Sequence, residues 1–220
     1  MADPAGTRPP AAADTNNQQR IRDVAMACFA EHGVSATSLR TIADAADVSV
    51  GLIQHYFGSK AELVAAVDEH VLDVCGRALV DRPAPPAAEG HDDDPSIFRG
   101  GPARLFIEHP QVIDYLARVL PEGGATGAAV FDGLVTISAT QGETFAARGL
   151  TRPDLDSLWS VLNPVLLRVT ASVLRRQIER HLPGPLYSRE QTVRWDNATT
   201  DLIRRGLLKD GAGGLGAPGG

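Results

Sequence analysis

Apolar residues recur at helical spacing along most of this chain. Ile21, Val24, Ala25, Cys28 and Phe29 follow the spacing i, i+3, i+4, i+7 and i+8, which puts them on one face of a helix. No stretch alternates apolar and polar residues for long enough to predict a β-sheet. The pattern therefore predicts an all-α protein.

Two short helices joined by a tight turn follow this first helix. Gly33 is expected to end the first helix, and Thr37 or Ser38 to cap the second. Asp47 lies in the turn that leads to a third helix, which covers Val50 to Phe57. Two short helices with a tight turn, inside a three-helix unit, form the helix-turn-helix arrangement of DNA-binding proteins. Spacing alone leaves simple helix packing as an equal alternative.

Capping boxes and prolines mark the later helices. Residues 59–62, Ser-Lys-Ala-Glu, match the capping box S-x-x-E/Q and open a fourth helix, and residues 188–191, Ser-Arg-Glu-Gln, match it again. Asn163-Pro164 lies inside the longest predicted helix and is expected to kink it. The later helices are predicted to cover residues 96–108, 110–120, 125–148, 153–181 and 188–208.

Composition divides the chain into four segments. Residues 1–17 are rich in Ala and Pro and are expected to form a disordered tail, as are residues 209–220, which are rich in Gly. A helix-turn-helix domain is expected over residues 18–65 and a helical ligand-binding and dimerisation bundle over residues 66–208. Within the bundle, the Pro-rich and acidic segment 82–95 is expected to be a linker or exposed loop.

The charge balance restricts how the chain can bind DNA. The net charge is −6, which argues against a protein that coats nucleic acid generally. Residues 18–70 carry four Lys or Arg against seven Asp or Glu, so non-specific affinity for DNA should be weak and sensitive to salt. Pairing two such units in a dimer would then be needed for useful affinity.

Other functional classes lack their sequence signatures. The N-terminus has neither the apolar core nor the cleavage pattern of a signal peptide, and no apolar run approaches the roughly 18 residues of a membrane span. We therefore expect a cytoplasmic protein without a membrane partner. No phosphate-binding loop, dinucleotide motif or hydrolase motif occurs, and the histidines and two cysteines lack metal-ligand spacing. We expect no enzyme activity, catalytic residue, metal or cofactor.

Residues 29–63, FAEHGVSATSLRTIADAADVSVGLIQHYFGSKAEL, resemble the DNA-binding region of the TetR (tetracycline-repressor) family. Asp47 replaces the glycine usual in the family's turn, and Val50 replaces a common basic residue. Gln54 and His55 stand where the family often has aromatic residues. The positions that match in register are Phe29, Glu31, Gly33, Thr37, Ser38, Ile42, Ala43, Val48, Ser49, Gly51, Tyr56, Phe57, Ser59, Lys60 and Leu63.

The resemblance implies a set of DNA-facing residues. Arg40 suits guanine or a phosphate, Gln54 suits adenine, and Val50 suits a thymine methyl group. Gly51 would allow close approach of the backbone, while Tyr56 and Lys60 suit phosphate. The complete predicted set is Thr37, Arg40, Val50, Gly51, Gln54, His55, Tyr56 and Lys60.

The second half is expected to bind a partner molecule and a second copy of the chain. Phe131 and Trp159 are the candidate residues for a ligand cavity, and the apolar stretch 97–166 suggests a hydrophobic small-molecule effector. The resemblance implies a homodimer that binds a double-stranded, palindromic operator. The apolar faces that would form its four-helix bundle contain Leu155, Leu158, Leu162, Leu166, Val169, Val173, Leu174, Leu202, Ile203 and Leu207.

Two main functions remain open on the sequence, with a helical enzyme that lacks any recognisable motif as a third alternative. The first is a transcriptional repressor that a small apolar molecule releases from its operator. The second is a helical module that binds a small molecule or a partner without specific operator binding, which the acidic charge and Val50 would favour.

Overall fold

The computed structural model describes residues 10–79 and 101–209, and these residues fold into ten helices. Within these ranges, the only β-type pairing is an isolated antiparallel bridge between Thr151 and Leu208. The predicted all-α class is therefore confirmed. The helices are α1 (Pro10–His32), α2 (Leu39–Ala45), α3 (Val50–Phe57), α4 (Lys60–Leu79), α5 (Gly101–Glu108), α6 (Pro110–Glu122), α7 (Gly124–Ala147), α8 (Trp159–Val173), α9 (Arg175–Glu179) and α10 (Arg189–Leu207).

Helix α1 begins earlier than the composition predicts. It starts at Pro10, so residues 10–17, expected to belong to a disordered tail, are helical. Proline is well suited to the first turn of a helix, since the amide N–H that it lacks would have no partner within the helix. A contact between Asp14 and the distant Tyr56 also holds this turn against the rest of the fold. The linker at 82–95 and the tail from residue 210 onward lie outside the described residues.

Helix α1 ends, and helices α2 and α3 begin, where the local sequence predicts. The hydroxyl of Ser38 accepts a hydrogen bond from the Thr41 amide, which makes Ser38 the N-cap of α2. Ser49 caps α3 in the same way. Gly33, just after α1, and Asp47, in the turn before α3, both have positive φ, of 83° and 51° respectively. Asp47 thus adopts the left-handed conformation for which the family usually has glycine.

A single core joins the helix-turn-helix to the second half of the chain. Ile21, Phe29, Ile42 and Ile53 are fully buried among α1, α2 and α3. The buried face of α4 continues this core toward α5 and α7, and its members are Leu63, Val64, Val67, Val71, Val74 and Cys75. Helix α6 packs against α1, α7 and α8. The helix-turn-helix unit therefore shares its core with the helices that follow.

The prediction of one helix over residues 153–181 is wrong. Residues 153–158 are not helical, and Asp156 caps the start of α8 because its carboxylate accepts hydrogen bonds of 2.9 Å from the amides of Leu158 and Trp159. Leu174 then separates α8 from the short α9. Pro164 lies inside α8, and the kink expected there stays a prediction. No helix of the described part of the chain is long and apolar enough to span a membrane.

Candidate nucleic-acid interface and internal cavity

Helix α3 has one anchored face and one open face. Ile53 and Phe57 are buried in the core, whereas Gly51, Gln54 and His55 are exposed. This division follows from helical periodicity, since residues 53 and 57 are one turn apart. The open face presents an amide, an imidazole and a stretch of accessible backbone, and it carries no acidic side chain.

Gly51 lies in the first turn of α3 and has open space around it. A Cβ atom placed there would come no closer than 3.8 Å to another atom outside its immediate neighbours, the hydroxyl oxygen of Ser49. The fold therefore tolerates a side chain at this position. Because Gly51 has no side chain, another molecule can closely approach the backbone of α3 at this position.

Two cations border this face. Arg40 is exposed on α2, and Lys60 is half-buried at the start of α4. The Nζ of Lys60 donates a hydrogen bond of 3.5 Å to the carbonyl oxygen of Ser35. The first turn of α4 carries the partial positive charge of a helix N-terminus, so an anion near Lys60 would meet both positive charges.

Tyr56 contacts the extension of α1. Its hydroxyl donates a hydrogen bond of 3.0 Å to Oδ1 of Asp14. Loss of hydration and the hydrogen bond to Asp14 raise the pKa of Tyr56. A carboxylate thus lies at a position where the sequence predicts a contact with DNA phosphate.

Thr37 is buried, so the structure does not place its side chain on the surface that the sequence predicts to face DNA. It is only 2% exposed, and its hydroxyl donates to the carbonyl oxygens of Gly33, at 2.8 Å, and Cys28, at 3.3 Å. These bonds tie the start of α2 to the end of α1. The hydroxyl is therefore committed to the fold, and Ser38 is the neighbouring residue that is exposed.

An apolar cavity of about 50 Å³ lies between α4, α5, α6, α7 and α8. It is too small for a drug-sized molecule as it stands, because such ligands occupy sites of about 300–1,000 Å³. A ligand that enters must therefore push helices apart. The lining residues are Cys75, Leu79, Pro102, Leu105, Phe106, Ile113, Leu116, Leu134, Ile137, Ser138, Gln141, Pro164, Val165, Arg168, Val169 and Ser172.

The predicted ligand residues do not line this cavity. Phe131 is partly buried and packs against the main core, and Trp159 is 50% exposed beside a groove between α8 and α10. Trp159 lies at the outer end of α8 because that helix starts at residue 159, and ligand contact by Phe131 and Trp159 stays a prediction. Sequence reasoning also missed Arg168, because nothing in the local pattern distinguishes an arginine that faces a cavity from one that faces water.

Helix α6 connects this cavity with the helix-turn-helix unit. Ile113 and Leu116 face the cavity, while the hydroxyl of Tyr115 donates a 2.6 Å hydrogen bond to Asp68 of α4. Burial raises the pKa of Asp68, and the Tyr115 hydrogen bond opposes that shift. Farther along α6, Arg118 donates a 3.2 Å hydrogen bond to the carbonyl oxygen of His32 at the end of α1. A shift of α6 would therefore be transmitted to both α1 and α4.

Helices α8 and α10 carry apolar side chains into solvent. Leu202 is 64% exposed and Leu158 is 59% exposed, and a groove of about 550 Å³ runs between the two helices. Large apolar side chains clustered in this way are typical of surfaces that another protein covers. The exposed members of this surface are Leu158, Trp159, Leu166, Leu167 and Leu202.

Neither cysteine has the environment of a reactive thiol. Both are buried and unpaired, and burial raises the pKa of Cys75 to about 12. The reactive thiolate form is therefore scarce at neutral pH. Across residues 10–79 and 101–209, no group of three or more His, Cys, Asp or Glu side chains is arranged to hold a metal ion.

Comparison with known proteins confirms the predicted resemblance. Residues 21–67 match the family described as bacterial regulatory proteins, tetR family. Over 144 residues the chain is 28% identical to the HTH-type transcriptional regulatory protein RaaS of Mycobacterium tuberculosis, a match that covers 66% of this chain and 64% of RaaS. It is also 28% identical over 134 residues to the HTH-type transcriptional repressor AcnR of Corynebacterium glutamicum, which covers 54% of this chain and 69% of AcnR. The chain thus spans about two thirds of the length of these relatives.

The solved structures that this chain resembles share its fold. One is SmeT, the repressor of the Stenotrophomonas maltophilia multidrug efflux pump SmeDEF, with a TM-score of 0.61 and 19% identity. The similarity covers 91% of this chain and 94% of SmeT. SmeT is also known in a complex with triclosan. The likeness extends over both halves, which confirms the predicted fold of an N-terminal helix-turn-helix unit and a C-terminal helical domain.

Proposed function

We propose that this chain, a member of the tetR family of bacterial regulatory proteins through residues 21–67, is a transcriptional repressor that a small molecule releases from its operator. The open face of α3 is the observation that carries the proposal. Its buried residues, Ile53 and Phe57, hold the helix rigidly, while Gln54 and His55 project outward. A short, anchored helix with polar outward residues can enter the major groove of DNA.

The roles of the individual residues follow from their chemistry and position. We assign Gln54 and Arg40 to base edges, where an amide can pair with adenine and a guanidinium with guanine. The half-buried Val50 can meet a thymine methyl group, and His55 borders the same groove. Tyr56 and Lys60 are assigned to phosphates, since they lie at the end of α3 and the start of α4. Thr37 contributes through the fold alone.

Operator binding requires two copies of the chain in this proposal. The exposed apolar surface of α8 and α10 is the contact between them, since a four-helix bundle would remove Leu158, Leu166 and Leu202 from water. A two-fold axis would set two copies of α3 at successive major grooves, roughly 34–36 Å apart, on a palindromic site. The negative charge of each unit makes this doubling of the contact area important.

The internal cavity is the proposed site of the effector. An apolar molecule that enters it must enlarge it, which displaces α6 and the far end of α4, and both helices reach the DNA-binding unit. The effector acts only if it binds the displaced state better than the state that binds DNA. AcnR and SmeT are repressors, which supports repression here by analogy, and the triclosan complex of SmeT supports an apolar effector. As a DNA-binding regulator, the protein is proposed to act in the cytoplasm.

The test is a titration of fluorescently labelled DNA from upstream of the protein's own gene, followed by anisotropy. We expect saturable binding that a shuffled DNA of equal length does not match. Gln54→Ala should reduce the preference for the native sequence, whereas Gln111→Ala, on the distant α6, should leave it unchanged. Equal affinity for native and shuffled DNA in the wild-type protein would contradict an operator at this location.

A helical module without operator binding is the second candidate function. The engagement of Tyr56 by Asp14 favours it, because a carboxylate at the DNA face opposes phosphate binding. Light scattering and thermal denaturation with apolar compounds would separate the candidates. A dimer that apolar compounds stabilise, but that binds no upstream or genomic DNA fragment, would support the second function.

A further inference from the structure

We propose that the effector is an anionic amphiphile, an apolar molecule that ends in a carboxylate, and that its carboxylate pairs with Arg168. This inference rests on the effector cavity of the proposed function and specifies the chemical class that the cavity selects. It adds a charged contact to an effector that the apolar sequence pattern predicts to be hydrophobic.

Arg168 is the cation of this cavity. It lies in the middle of α8 and lines the cavity wall. Its Nε is wholly buried and has no hydrogen-bond partner among the described residues. A buried N–H without an acceptor costs free energy, more so on a charged group, and a carboxylate is the acceptor that matches the guanidinium fork best. The wall therefore offers an unused donor with a preference for anions.

The other polar groups of the wall are already engaged. The hydroxyl of Ser138 donates to the carbonyl of Val161, and that of Ser172 donates to the carbonyl of its own helix at residue 169. The amide nitrogen of Gln141 donates 2.7 Å to the carbonyl of Leu79. No acidic side chain is among the lining residues. Among the lining side chains, Arg168 is therefore the one whose buried donor lacks a hydrogen-bond partner.

The charge state of Arg168 suits this role. Burial lowers the pKa of its guanidinium to about 10, and the negative charge of Asp196 opposes this shift. Arg168 is therefore still a cation at neutral pH. Asp196 is buried on α10, accepts a 3.3 Å hydrogen bond from Thr200, and does not line the cavity. Its negative charge favours the charged form of Arg168, and it adds no carboxylate to the cavity lining.

The remaining wall is mostly apolar, which suits contact with an apolar tail once the cavity enlarges. Leucine, isoleucine, valine and phenylalanine side chains from five helices make up most of the lining. Phe106 lies in this wall and packs against Trp195 of α10, with ring centroids 4.7 Å apart. Ligand entry that moves Phe106 would therefore change the surroundings of Trp195. Since the chain has only two tryptophans, Trp159→Phe leaves Trp195 as the sole fluorescent reporter.

The experiment titrates Trp159→Phe protein with three probes that share a ten-carbon tail: decanoate, decan-1-ol and decyltrimethylammonium, each below its aggregation concentration. We expect the fluorescence of Trp195 to report binding of decanoate roughly tenfold to a hundredfold more tightly than decan-1-ol, and weakest binding of the cation. Equal affinities for decanoate and decan-1-ol would overturn the anionic class and leave an apolar effector site intact.

Substitutions at Arg168 identify the source of the preference. Arg168→Met should abolish the advantage of decanoate over decan-1-ol, and Arg168→Lys should retain part of it, because the charge stays while the fork is lost. Arg176→Met, which removes an exposed cation from α9, is the matched control and should change neither affinity. Thermal denaturation checks that each variant folds. An advantage of decanoate that survives Arg168→Met would place the anion site elsewhere and overturn the inference.

Different results would show that the cavity does not bind an effector at all. If none of the three probes changes the fluorescence of Trp195 or the melting temperature, both this inference and the effector part of the proposed function are wrong. If decanoate binds in an Arg168-dependent manner but leaves affinity for the operator unchanged, the anion site stands and its role as an effector site does not.

Discussion

The hydroxyl of Tyr56, at the end of α3, donates a hydrogen bond of 3.0 Å to Asp14 in the first turns of α1. The two residues are 42 positions apart in the chain, and the bond joins the N-terminal extension to the proposed DNA-binding face. A phosphate that accepts from the same hydroxyl would lie beside the Asp14 carboxylate. Asp14 must therefore move away, or its repulsion must be overcome, when DNA binds.

Removal of this carboxylate should strengthen DNA binding. Asp14→Asn keeps the shape of the side chain but removes its charge, and we expect an increase in affinity of a few-fold at low salt that fades at high salt. Operator titrations at two salt concentrations would measure it. Glu31→Gln, at an exposed acid near the other end of α1, controls for net charge. An equal gain from both variants would mean that Asp14 acts only through the total charge.

Substitution of Gly51 should change stability and DNA affinity in opposite directions. Open space surrounds the position, so Gly51→Ala removes no contact and gains helix propensity of up to about 1 kcal/mol. The added methyl group should nevertheless hold the backbone of α3 away from DNA and weaken operator binding. Urea denaturation and operator titration of the same protein would test both effects. A variant that is more stable and binds DNA normally would exclude close approach at Gly51.

The base-facing and phosphate-facing residues should differ in their effect on specificity. Arg40→Ala and Gln54→Ala should each cost about 1–3 kcal/mol on the preferred operator and change the order of preference among operators. Lys60→Ala should weaken binding to all sequences alike and flatten the salt dependence. Titrations against a set of operator variants at several salt concentrations would measure this. A changed preference in Lys60→Ala, with none in Arg40→Ala, would reverse the assignments.

The hydrogen bond between Tyr115 and Asp68 should stabilise the fold in a manner that depends on pH. Tyr115→Phe leaves the half-buried carboxylate without its donor, and we expect a loss of about 1–3 kcal/mol in the free energy of unfolding at neutral pH. Burial already raises the pKa of Asp68, and loss of the donor raises it further. Tyr115→Phe therefore lowers the free energy of unfolding most when the Asp68 carboxylate is ionised.

The destabilisation caused by Tyr115→Phe should therefore depend on pH. The loss should be small below the ordinary aspartate pKa of about 3.9, where the group is neutral in both states, and should grow as the pH rises until the folded carboxylate is ionised. Urea denaturation between about pH 4.5 and 8 would record it. In an Asp68→Asn background, Tyr115→Phe should cost less and lose its pH dependence. A constant loss across the range would assign the effect to packing of the ring.

Charge placed on the apolar surface of α8 and α10 should prevent dimerisation. Leu202→Glu and Leu166→Glu each put a carboxylate where the two copies are proposed to meet, and the side chains are exposed in the single chain. We expect light scattering to show twice the chain mass of 23.3 kDa for the wild type and a single mass for the variants. Ile107→Glu, at an exposed apolar residue of α5, is the control. A wild-type protein that is monomeric at micromolar concentration would contradict the proposed dimer.

Interactions between residues close in sequence could be predicted without the fold. The caps Ser38, Ser49 and Ser188, the end of α1 at Gly33 and the left-handed Asp47 all depend on hydrogen bonds or backbone angles within a few residues. The helix-turn-helix and its buried face follow from this local order and from helical periodicity. This is why the fold class and the exposed positions of α3 agree with the sequence analysis.

Features that combine distant segments were decided by the tertiary structure. Thr37 turns inward because carbonyl groups at the end of α1 lie within reach of its hydroxyl, and residues 10–17 are helical where composition alone predicts a tail. The cavity gathers side chains from five helices, so neither its small volume nor the direction of Arg168 can be derived from periodicity along one of them. Trp159 lies outside the cavity because the cap at Asp156 makes α8 begin at residue 159, six residues after Pro153. Local hydrogen bonds set where helices begin and end, whereas burial of a charge or an aromatic ring depends on which helices pack against it.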